Sequence, residues 1–577
     1  MSDMTDTLEA AWPLATSGTT TLPMKPRLED LNGKRVGFVW DYVFRGDEMF
    51  PMIAAELERL YPGVEIAPYE LFGNIHGKDG NGVLAKLPER LREEGIDAAV
   101  IGVGNCGSCT PAVMRGVMIA EQEGIPSVGL VSSGFEAQAK AVARALGIEG
   151  APLAVYPGVI PFDSRQELET KIAETVLPAV LDGFAKPLSE VAGGGLDADP
   201  ATLSFTGTYD EIQEHFHSNS WTDGLPITPP TPRRVDEFLS LVDRDPDEVI
   251  GILQPEFRNA TVRAVAVNGV MAGCKPEYMP ILVAAVEAIA DPEFNLQHAG
   301  ATPGWEPMVI VSGPITEQLG FYSGTGALRV GTRANTSIGR FMRLCFRNLA
   351  GWIPGQTDKG TIGSGFNVAL SENDEATAAI GWPTSRVDRG FAADDNIVTV
   401  QSVLATSIPV YSGGTTAEDL IGPIRHHVET TIGPWAYTGL WYGHSHILIV
   451  MSPAVAGEFA RHGWSKDDIR HRIFTETKIK AGWVERYPIH AAGGEMTLER
   501  LVSDGVIDAS YTESDDPERE IPLLIKEQWT DIVLAGDPGR NQSRIYFNNH
   551  EQGPPTSKRI ELSDTWRGHL GANPADA

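Results

Sequence analysis

The sequence predicts an α/β fold, in which an N-terminal doubly wound parallel sheet is followed by a larger C-terminal α+β domain. Three observations predict it. The chain has 577 residues, too many for a single hydrophobic core. Short apolar runs alternate with helix-like segments between residues 35 and 158. After residue 205 the pattern is less regular and contains many Gly and Pro residues.

The N-terminal elements follow one another at regular spacing. The strand-like runs are RVGFVWD (35–41), VEIAPYEL (64–71), IDAAVIGVG (96–104), IPSVGLVSS (125–133) and APLAVYPG (151–158). The helix-like segments between them span 48–63, 82–95, 110–124 and 135–147. The run IDAAVIGVG is almost continuously apolar, which is typical of a strand buried on both faces. Strands and helices that alternate in this way form a parallel sheet, and we predict a flavodoxin-like domain.

Composition indicates the domain boundaries. Residues 1–27 are small and polar and contain Pro, which predicts a flexible N-terminal arm, either free or laid onto a partner subunit. The α/β domain is predicted over residues 28–187, and the Gly- and Asp-rich stretch 188–205 is predicted as a linker. Residues 206–577 are predicted as an α+β substrate domain of one or two lobes.

Charge and composition exclude several classes of partner. The formal net charge of −31 excludes nucleic acid and disfavours anionic membrane surfaces. The N-terminus has no basic region and no apolar core, so it does not resemble a secretory signal. The four cysteines are too few for a disulfide framework. We therefore predict a cytoplasmic homo-oligomer that acts on a small molecule, with its thiols reduced at rest.

The stretch IGVGNCGSCTPAVM (101–114) places Cys106 and Cys109 where the central strand ends and a helix begins. In an open parallel sheet, reactive groups collect beyond the carboxyl ends of the strands. Thr110 before a proline suits a helix N-cap, so both thiols are expected at a helix N-terminus, which favours the thiolate. We predict that the catalytic residues of this turn are Cys106, Cys109, Ser108 and Thr110, and that Asn105 and Asp41 contact the substrate.

The residues alone leave four interpretations of the two thiols open. They form a redox pair, a covalent nucleophile with a helper, a metal clip or two incidental thiols. A structural zinc site would need two further ligands, and the sequence has no second CxxC. The glycines at 102, 104 and 107 allow close approach of another molecule, which favours a functional turn over inert packing.

The C-terminal domain supplies further candidates. Cys274, before a predicted helix start in VNGVMAGCKPEYMP, is either a second activated thiol or a small buried residue at a tight turn. Arg333, Asn335 and Arg340 surround the start of a predicted helix, where exposed amides and arginine suit a carboxylate or phosphate. The predicted substrate contacts of this domain are Asn268, Arg333, Asn335, Arg340 and Asp223.

Two histidines are predicted on one strand. In HSHILIVMSP, His444 and His446 would point to the same face, a spacing compatible with a metal. No HxxxH or His-plus-carboxylate signature accompanies them, so we expect no metal there and predict His444 as a general acid or base. No phosphate-binding glycine fingerprint is present. We predict no bound cofactor, and an external thiol reductant if the thiols carry out redox chemistry.

The segments GVGNCGSCT, GIPSVGLVSSGF, ARALG and VYPG, within residues 34–160, resemble the UGSC family of (seleno)proteins. The first position of the family motif is selenocysteine in some members and cysteine in others, and Cys106 occupies it. WTDGLPITPPT, RANTSIGRFMRL and LAGDPGR resemble the larger companion domain of UGSC modules. A more remote likeness is to selenoprotein B of the glycine, sarcosine and betaine reductases. The resemblance implies thiol or selenol chemistry, with Cys106 as attacker and Cys109 as resolver.

Three functions are consistent with these observations. The favoured one is a thiol-dependent oxidoreductase, in which Cys106 attacks a small electrophile and Cys109 completes a disulfide. The second is a cysteine-nucleophile lyase, hydrolase or hydratase without redox change, in which Cys109 tunes Cys106. The third is a non-catalytic module that binds a metal or ligand.

Overall fold

The computed structural model describes residues 7–18, 22, 26–186, 201–363, 365, 368–491 and 497–572. Its first strands are β1 (Leu8–Ala11) and β2 (Thr16–Ser17). β1 pairs with residues 203–207 and β2 with residues 258–259, both antiparallel. Residues 8–11 and 16–17 of the predicted flexible arm thus belong to two sheets of the C-terminal part. The reason is that each strand pairs with an exposed edge, while Ala10 and Leu14 are buried in the core.

The predicted alternation of strands and helices is confirmed in the N-terminal part. Its strands are β3 (Arg35–Trp40), β4 (Glu65–Ala67), β5 (Ala98–Gly104), β6 (Ser127–Ser132) and β7 (Leu153–Tyr156). They form one parallel sheet in the order β4-β3-β5-β6-β7. This is the order of flavodoxin-like sheets. β5 lies at the centre, and each of its residues is buried.

Helices cover both faces of this sheet. They are α1 (Gly46–Leu60), α2 (Gly80–Glu93), α3 (Cys109–Gln122), α4 (Glu136–Ala145), α5 (Arg165–Lys171) and α6 (Leu177–Ala185). Ile53 of α1 and Val180 of α6 pack in one core with Phe38 and Val100 of the sheet. α2, α3 and α4 pack in a second core on the other face. The sheet is therefore doubly wound, as predicted.

The C-terminal part mixes short sheets with helices, as expected for an α+β region. Its strands are β8 (Leu203–Gly207), β9 (Val249–Leu253), β10 (Arg258–Thr261), β11 (Glu306–Ser312), β12 (Leu370–Ser371), β13 (Ile397–Val403), β14 (Ala405–Thr406), β15 (Val410–Tyr411), β16 (Ile447–Met451), β17 (Lys478–Lys480), β18 (Glu520–Pro522), β19 (Thr530–Leu534), β20 (Gln542–Phe547) and β21 (Thr556–Arg559). The larger sheets have the orders β12-β11-β13-β21 and β14-β20-β16-β19.

The helices of the C-terminal part pack around these sheets. They are α7 (Tyr209–Ser218), α8 (Pro232–Leu239), α9 (Val262–Met271), α10 (Met279–Ala290), α11 (Ile315–Gln318), α12 (Arg333–Cys345), α13 (Asp374–Ala379), α14 (Ser385–Asp388), α15 (Ala417–Ile432), α16 (Ala436–Tyr442), α17 (Pro453–Arg461), α18 (Lys466–Glu476), α19 (Ala481–Ala491), α20 (Leu498–Ser503) and α21 (Asp564–Ala572). One core joins α9, α10 and α12 to β11 and β13, and another joins α15, α17 and α18 to β16, β19 and β20. Met308 and Leu448 belong to a smaller cluster that joins the two larger sheets.

The C-terminal part also packs against the N-terminal domain. Leu440 of α16, Val484 of α19 and Leu501 of α20 share a core with the α1 face of the parallel sheet. The predicted linker lies outside the described residues from 188 to 200, and β8 begins within its last residues. Among the helices that the structure describes, none combines the length and apolar character needed to cross a membrane.

Candidate active site

The two-cysteine turn lies at the carboxyl end of β5, as predicted. Cys106 and Cys109 lie at disulfide-bonding distance, with their Cα atoms 5.3 Å apart, so the two thiols can form the disulfide that a redox pair requires. Cys109 is completely buried, whereas Cys106 is half-buried. Cys106 is therefore the sulfur that a molecule from outside the turn can reach.

Backbone amides contact both sulfur atoms. The N–H of Cys109 donates to Cys106 Sγ at 2.9 Å, and the N–H of Cys106 donates to Cys109 Sγ at the same distance. α3 begins at Cys109, so Ser108 occupies the N-cap position and the prediction of Thr110 as the cap is wrong. Thr110 lies inside the first turn instead, where its hydroxyl and its N–H both donate to the carbonyl of Cys106, at 2.8 and 3.2 Å. Both hydrogen bonds of Thr110 stabilise the backbone of the turn at Cys106.

Gly107 lies in close contact with the C-terminal part. A Cβ atom at this position would overlap the carbonyl of Gly300, so only glycine fits without a shift of one backbone. The amide of Gln138 donates to Gly107 O at 2.7 Å and to Thr357 O at 3.0 Å. The turn that carries both cysteines is therefore held between the two parts of the chain.

Four polar side chains from distant segments meet beside Cys106. Ser108 is completely buried, and its Oγ lies 3.4 Å from Cys106 Sγ and 3.3 Å from His76 Nε2. The same hydroxyl donates to the carboxylate of Glu551. The hydroxyl of Tyr442 lies 2.9 Å from His76 Nε2, which is itself 4.0 Å from Cys106 Sγ. Because Tyr442 ends α16 and Glu551 follows β20, both parts of the chain build this site.

Burial determines the protonation states of this network. It lowers the pKa of His76 well below its usual value, and His298 and Arg115 add to the effect. Burial lowers the pKa of His298 to about 4 and raises the pKa of Tyr442. It raises the pKa of Glu551 to about 7, although the Ser108 hydrogen bond opposes the shift. Of these four groups, Glu551 is therefore the one whose protonation changes near neutral pH.

Sequence reasoning missed His76, His298 and Glu551. One signal could have indicated Glu551: it lies in the polar run NNHEQ directly after the apolar strand β20. Such a run is normally exposed, yet Asn548, Asn549, His550 and Gln552 are completely buried. Several of their polar atoms have no partner in the structure, namely Asn548 Nδ2, Asn549 Oδ1, His550 Nε2 and Gln552 Nε2.

His444 and His446 do not lie on a strand, because β16 begins at Ile447. They lie in the preceding loop with ring centroids 5.8 Å apart, and both rings contact Trp529. Burial lowers the pKa of His444 to about 4, which keeps it neutral at physiological pH and does not suit a general acid. Within the described ranges, no three His, Cys, Asp or Glu side chains are arranged to hold a metal ion.

Three of the predicted site residues in the C-terminal part have structural contacts. Burial raises the pKa of the Cys274 thiol to about 12, which is the opposite of activation. Asn268 is completely buried and donates to the carbonyls of Pro13 and Ala264 at 2.9 and 3.0 Å. The Asn335 amide donates to the Ala369 carbonyl at 2.9 Å and is also buried.

The predicted anion-binding arginines are not grouped around one ligand. Arg340 forms a two-pronged ion pair with Asp223, at 2.9 and 2.8 Å, so these two side chains satisfy each other. Arg333 donates to the carbonyl of Gly273 at 3.0 Å and lines a cavity of about 990 Å³. Asp223 lines a different cavity of about 250 Å³.

Asn105 and Asp41 lie at the carboxyl edge of the parallel sheet. Asn105 accepts a hydrogen bond from the hydroxyl of Ser132, at the end of β6. Asp41 is completely buried and accepts the N–H of Val103 at 2.9 Å. Burial raises the pKa of Asp41 to about 8. Asp41 therefore holds the end of β5, next to the cysteine turn.

Substitution of Asp41 by Asn is expected to stabilise the protein increasingly as the pH rises from about 4 to about 8. Over this window the wild-type carboxyl keeps its proton when folded and loses it when unfolded, so the wild type loses about 1.4 kcal/mol of stability per pH unit relative to the variant. Thermal unfolding across this pH range measures the difference. The exposed Asp515 provides the control, since D515N is expected to follow the wild type. A constant offset between D41N and the wild type would contradict the prediction.

The comparisons with known proteins agree with the motif. Residues 9–186 match the model of the UGSC family. No curated protein and no solved structure matches the chain. The matched segment includes the parallel sheet, both cysteines of the turn, strand β2 and all of β1 except Leu8. The N-terminal segment of this chain, residues 9–186, is therefore similar to the UGSC family.

Proposed function

We propose that this protein is a thiol-dependent oxidoreductase that acts on a small electrophilic molecule. Cys106 is the nucleophile and Cys109 is the resolving thiol. The observation that carries the proposal is that a half-buried Cys106 and a fully buried Cys109 lie at disulfide-bonding distance at the start of α3. The N–H of Cys109 at 2.9 Å from Cys106 Sγ supports a thiolate at this position, since amides at a helix N-terminus favour negative charge.

In the first step the Cys106 thiolate attacks the electrophilic atom of the substrate. A bond forms between sulfur and this atom, and the leaving group departs with the electron pair of the bond that breaks and takes up a proton. The product is a covalent adduct on Cys106. Because the turn is already closed by Gly300 and Thr357 on one side, the substrate must approach from the exposed side of Cys106.

In the second step the Cys109 thiolate attacks the Cys106 sulfur. The disulfide forms, and the remaining substrate fragment leaves with an electron pair and takes up a proton. Overall, two thiols lose two electrons and two protons, and the substrate gains both. An external dithiol then reduces the disulfide and is oxidised in its place, which returns the turn to the dithiol form.

The C-terminal part has the role of a substrate domain in this proposal. It supplies Tyr442 and Glu551 to the surroundings of Cys106, which supports a fusion of a UGSC module with its companion domain. The more remote likeness to selenoprotein B of the glycine, sarcosine and betaine reductases is compatible with the same reductive chemistry. A homo-oligomeric state and a cytoplasmic location complete the proposal.

Mass spectrometry with differential alkylation tests the function. After reduction with dithiothreitol and removal of the reductant, iodoacetamide is expected to label Cys106 in the folded protein well before Cys109. Air oxidation is expected to protect both residues by restoring the disulfide. Cys274 and Cys345 are buried and serve as internal controls that stay unlabelled until the protein unfolds. Failure of Cys106 to react in the reduced, folded protein would contradict the proposal.

A further inference from the structure

We propose that Glu551 holds the proton of the Cys106 thiol and exchanges it through the hydroxyl of Ser108. This inference rests on the proposed function, because it assigns the proton acceptor for the nucleophile of the same site. It makes Glu551, in the C-terminal part, a positioning residue for the chemistry of the N-terminal domain. Ser108, which contacts the Cys106 sulfur directly, is the group through which it acts.

The geometry defines the route of the proton. Ser108 Oγ–H donates to Glu551 Oε2, which leaves the oxygen lone pairs of Ser108 free to accept an S–H. Cys106 Sγ lies 3.4 Å from this oxygen, within the range for a hydrogen bond to sulfur. In the reduced protein, Ser108 can therefore take the Cys106 proton while it passes its own to Glu551. One S–H bond breaks and one carboxyl O–H bond forms, with no net change in the protonation of the pair.

His76 is the competing acceptor, and the structure disfavours it. Its Nε2 lies 4.0 Å from Cys106 Sγ and also lies within 2.9 Å of the Tyr442 hydroxyl. Burial keeps its pKa far below neutral, so a proton placed on this ring would not stay there. Glu551 is half-buried, so it can release the proton to solvent, and its pKa of about 7 lets it do so near neutral pH.

Apart from Asp41, the titratable and charged groups around this carboxyl do not titrate between its pKa and that of a thiol. Burial holds His76, His298 and His444 neutral and Tyr442 protonated in that range. Arg115 stays cationic, although burial lowers its pKa to about 10. The groups that face the site from neighbouring segments are Asp41, His76, Arg115, His298, Tyr442 and His444. Of these, Asp41 has a pKa of about 8 and is removed in the test by the D41N substitution.

The pH dependence of Cys106 alkylation tests the inference without any turnover. The protein carries D41N and C109S, so that Cys106 is the only thiol of the turn, and iodoacetamide labelling is followed by mass spectrometry. With Glu551 intact, the rate is expected to rise in two steps, the lower one near pH 7, because two coupled groups lose two protons. With E551Q the lower step disappears, and the remaining step moves down by about one pH unit, since no carboxylate opposes the thiolate.

A second variant and a control separate the proton route from a structural effect. S108A keeps both titrating groups but removes the hydroxyl whose hydrogen bond lowers the pKa of Glu551, so the lower step is expected to remain and to move to higher pH. E317Q removes an exposed carboxylate and is expected to keep both steps. A two-step profile in E551Q, or a lower step that S108A leaves at its wild-type pH, overturns the inference, as does a slower rate at every pH with both steps unchanged. If E551Q does not fold, S108A alone decides. The pH profiles of Cys106 alkylation could follow these expectations while the wild-type protein forms no reversible disulfide. That result would refute the redox function and leave this inference intact.

Discussion

Substitution of Cys106 by Ser is expected to lower the rate of thiol–disulfide exchange at the turn by at least about a thousandfold. A serine hydroxyl is not ionised at neutral pH and cannot form a disulfide, so both steps of the proposed reaction are lost. The probe is 5,5′-dithiobis(2-nitrobenzoate), a small disulfide whose attack by a thiolate releases a coloured thiol. The reduced wild type is expected to release two coloured thiols per chain, one in each step, because Cys109 resolves the mixed disulfide on Cys106.

Substitution of Cys109 by Ser is the matched variant for this prediction. C109S keeps the nucleophile, so we expect the first release to proceed and the second to be absent. The mixed disulfide on Cys106 then persists and is visible by mass spectrometry. Two released thiols from C109S would show that Cys109 is not the resolver. Release from C106S at the wild-type rate would show that Cys106 is not the nucleophile.

Substitution of Arg27 by Met is expected to lower the free energy of unfolding of the N-terminal domain by about 3–5 kcal/mol. Arg27 and Glu121 form an ion pair at 2.7 Å, with only 3% and 2% of their side chains exposed. The Glu121 carboxylate also accepts the N–H of Ser127 at 2.8 Å. Without the guanidinium, a buried carboxylate loses its counter-charge near the end of α3, the helix that begins at Cys109.

Resistance to brief proteolysis across a urea series measures this loss, with peptides from α3 identified by mass spectrometry. Arg59 offers a control of the same chemistry, because it pairs with Glu56 at 2.8 Å but its side chain is 64% exposed. R59M is expected to cost less than about 1 kcal/mol, since water screens the pair. Equal losses in R27M and R59M would show that burial of the Arg27–Glu121 pair does not govern its contribution.

The parallel sheet could be predicted because its signal is local. Each strand arises from a short apolar run, and the central run IDAAVIGVG contains β5, in which every residue is buried. The position of Cys106 and Cys109 followed from the same pattern, since the turn after a central strand lies at the carboxyl edge. The prediction that His444 and His446 lie on a strand was wrong for a related reason. Alternating residues in HSHILIV indicated a strand, but pairing with β19 and β20 begins only at Ile447.

The surroundings of Cys106 could not be predicted, because no local pattern joins them. Ser108 and Glu551 are 443 residues apart in sequence, and His76 and Tyr442 are 366 apart. The contacts of the C-terminal candidates could not be predicted for a different reason. Arg340 and Asp223 look like ligand-binding groups when each is considered alone, but in the fold they neutralise each other.

The amino-acid sequence by itself determined the order of strands and helices over residues 35–156 and the position of a two-thiol turn at the end of the central strand. These features depend on the apolar periodicity and the chain geometry of short segments. Both are properties of each segment by itself, without contacts to the rest of the chain. Only the tertiary structure decided that Ser108, His76, Tyr442 and Glu551 meet beside Cys106. Hydrogen bonds and desolvation act over a few ångströms in space, regardless of separation along the chain, so these partners exist only once both parts are packed together.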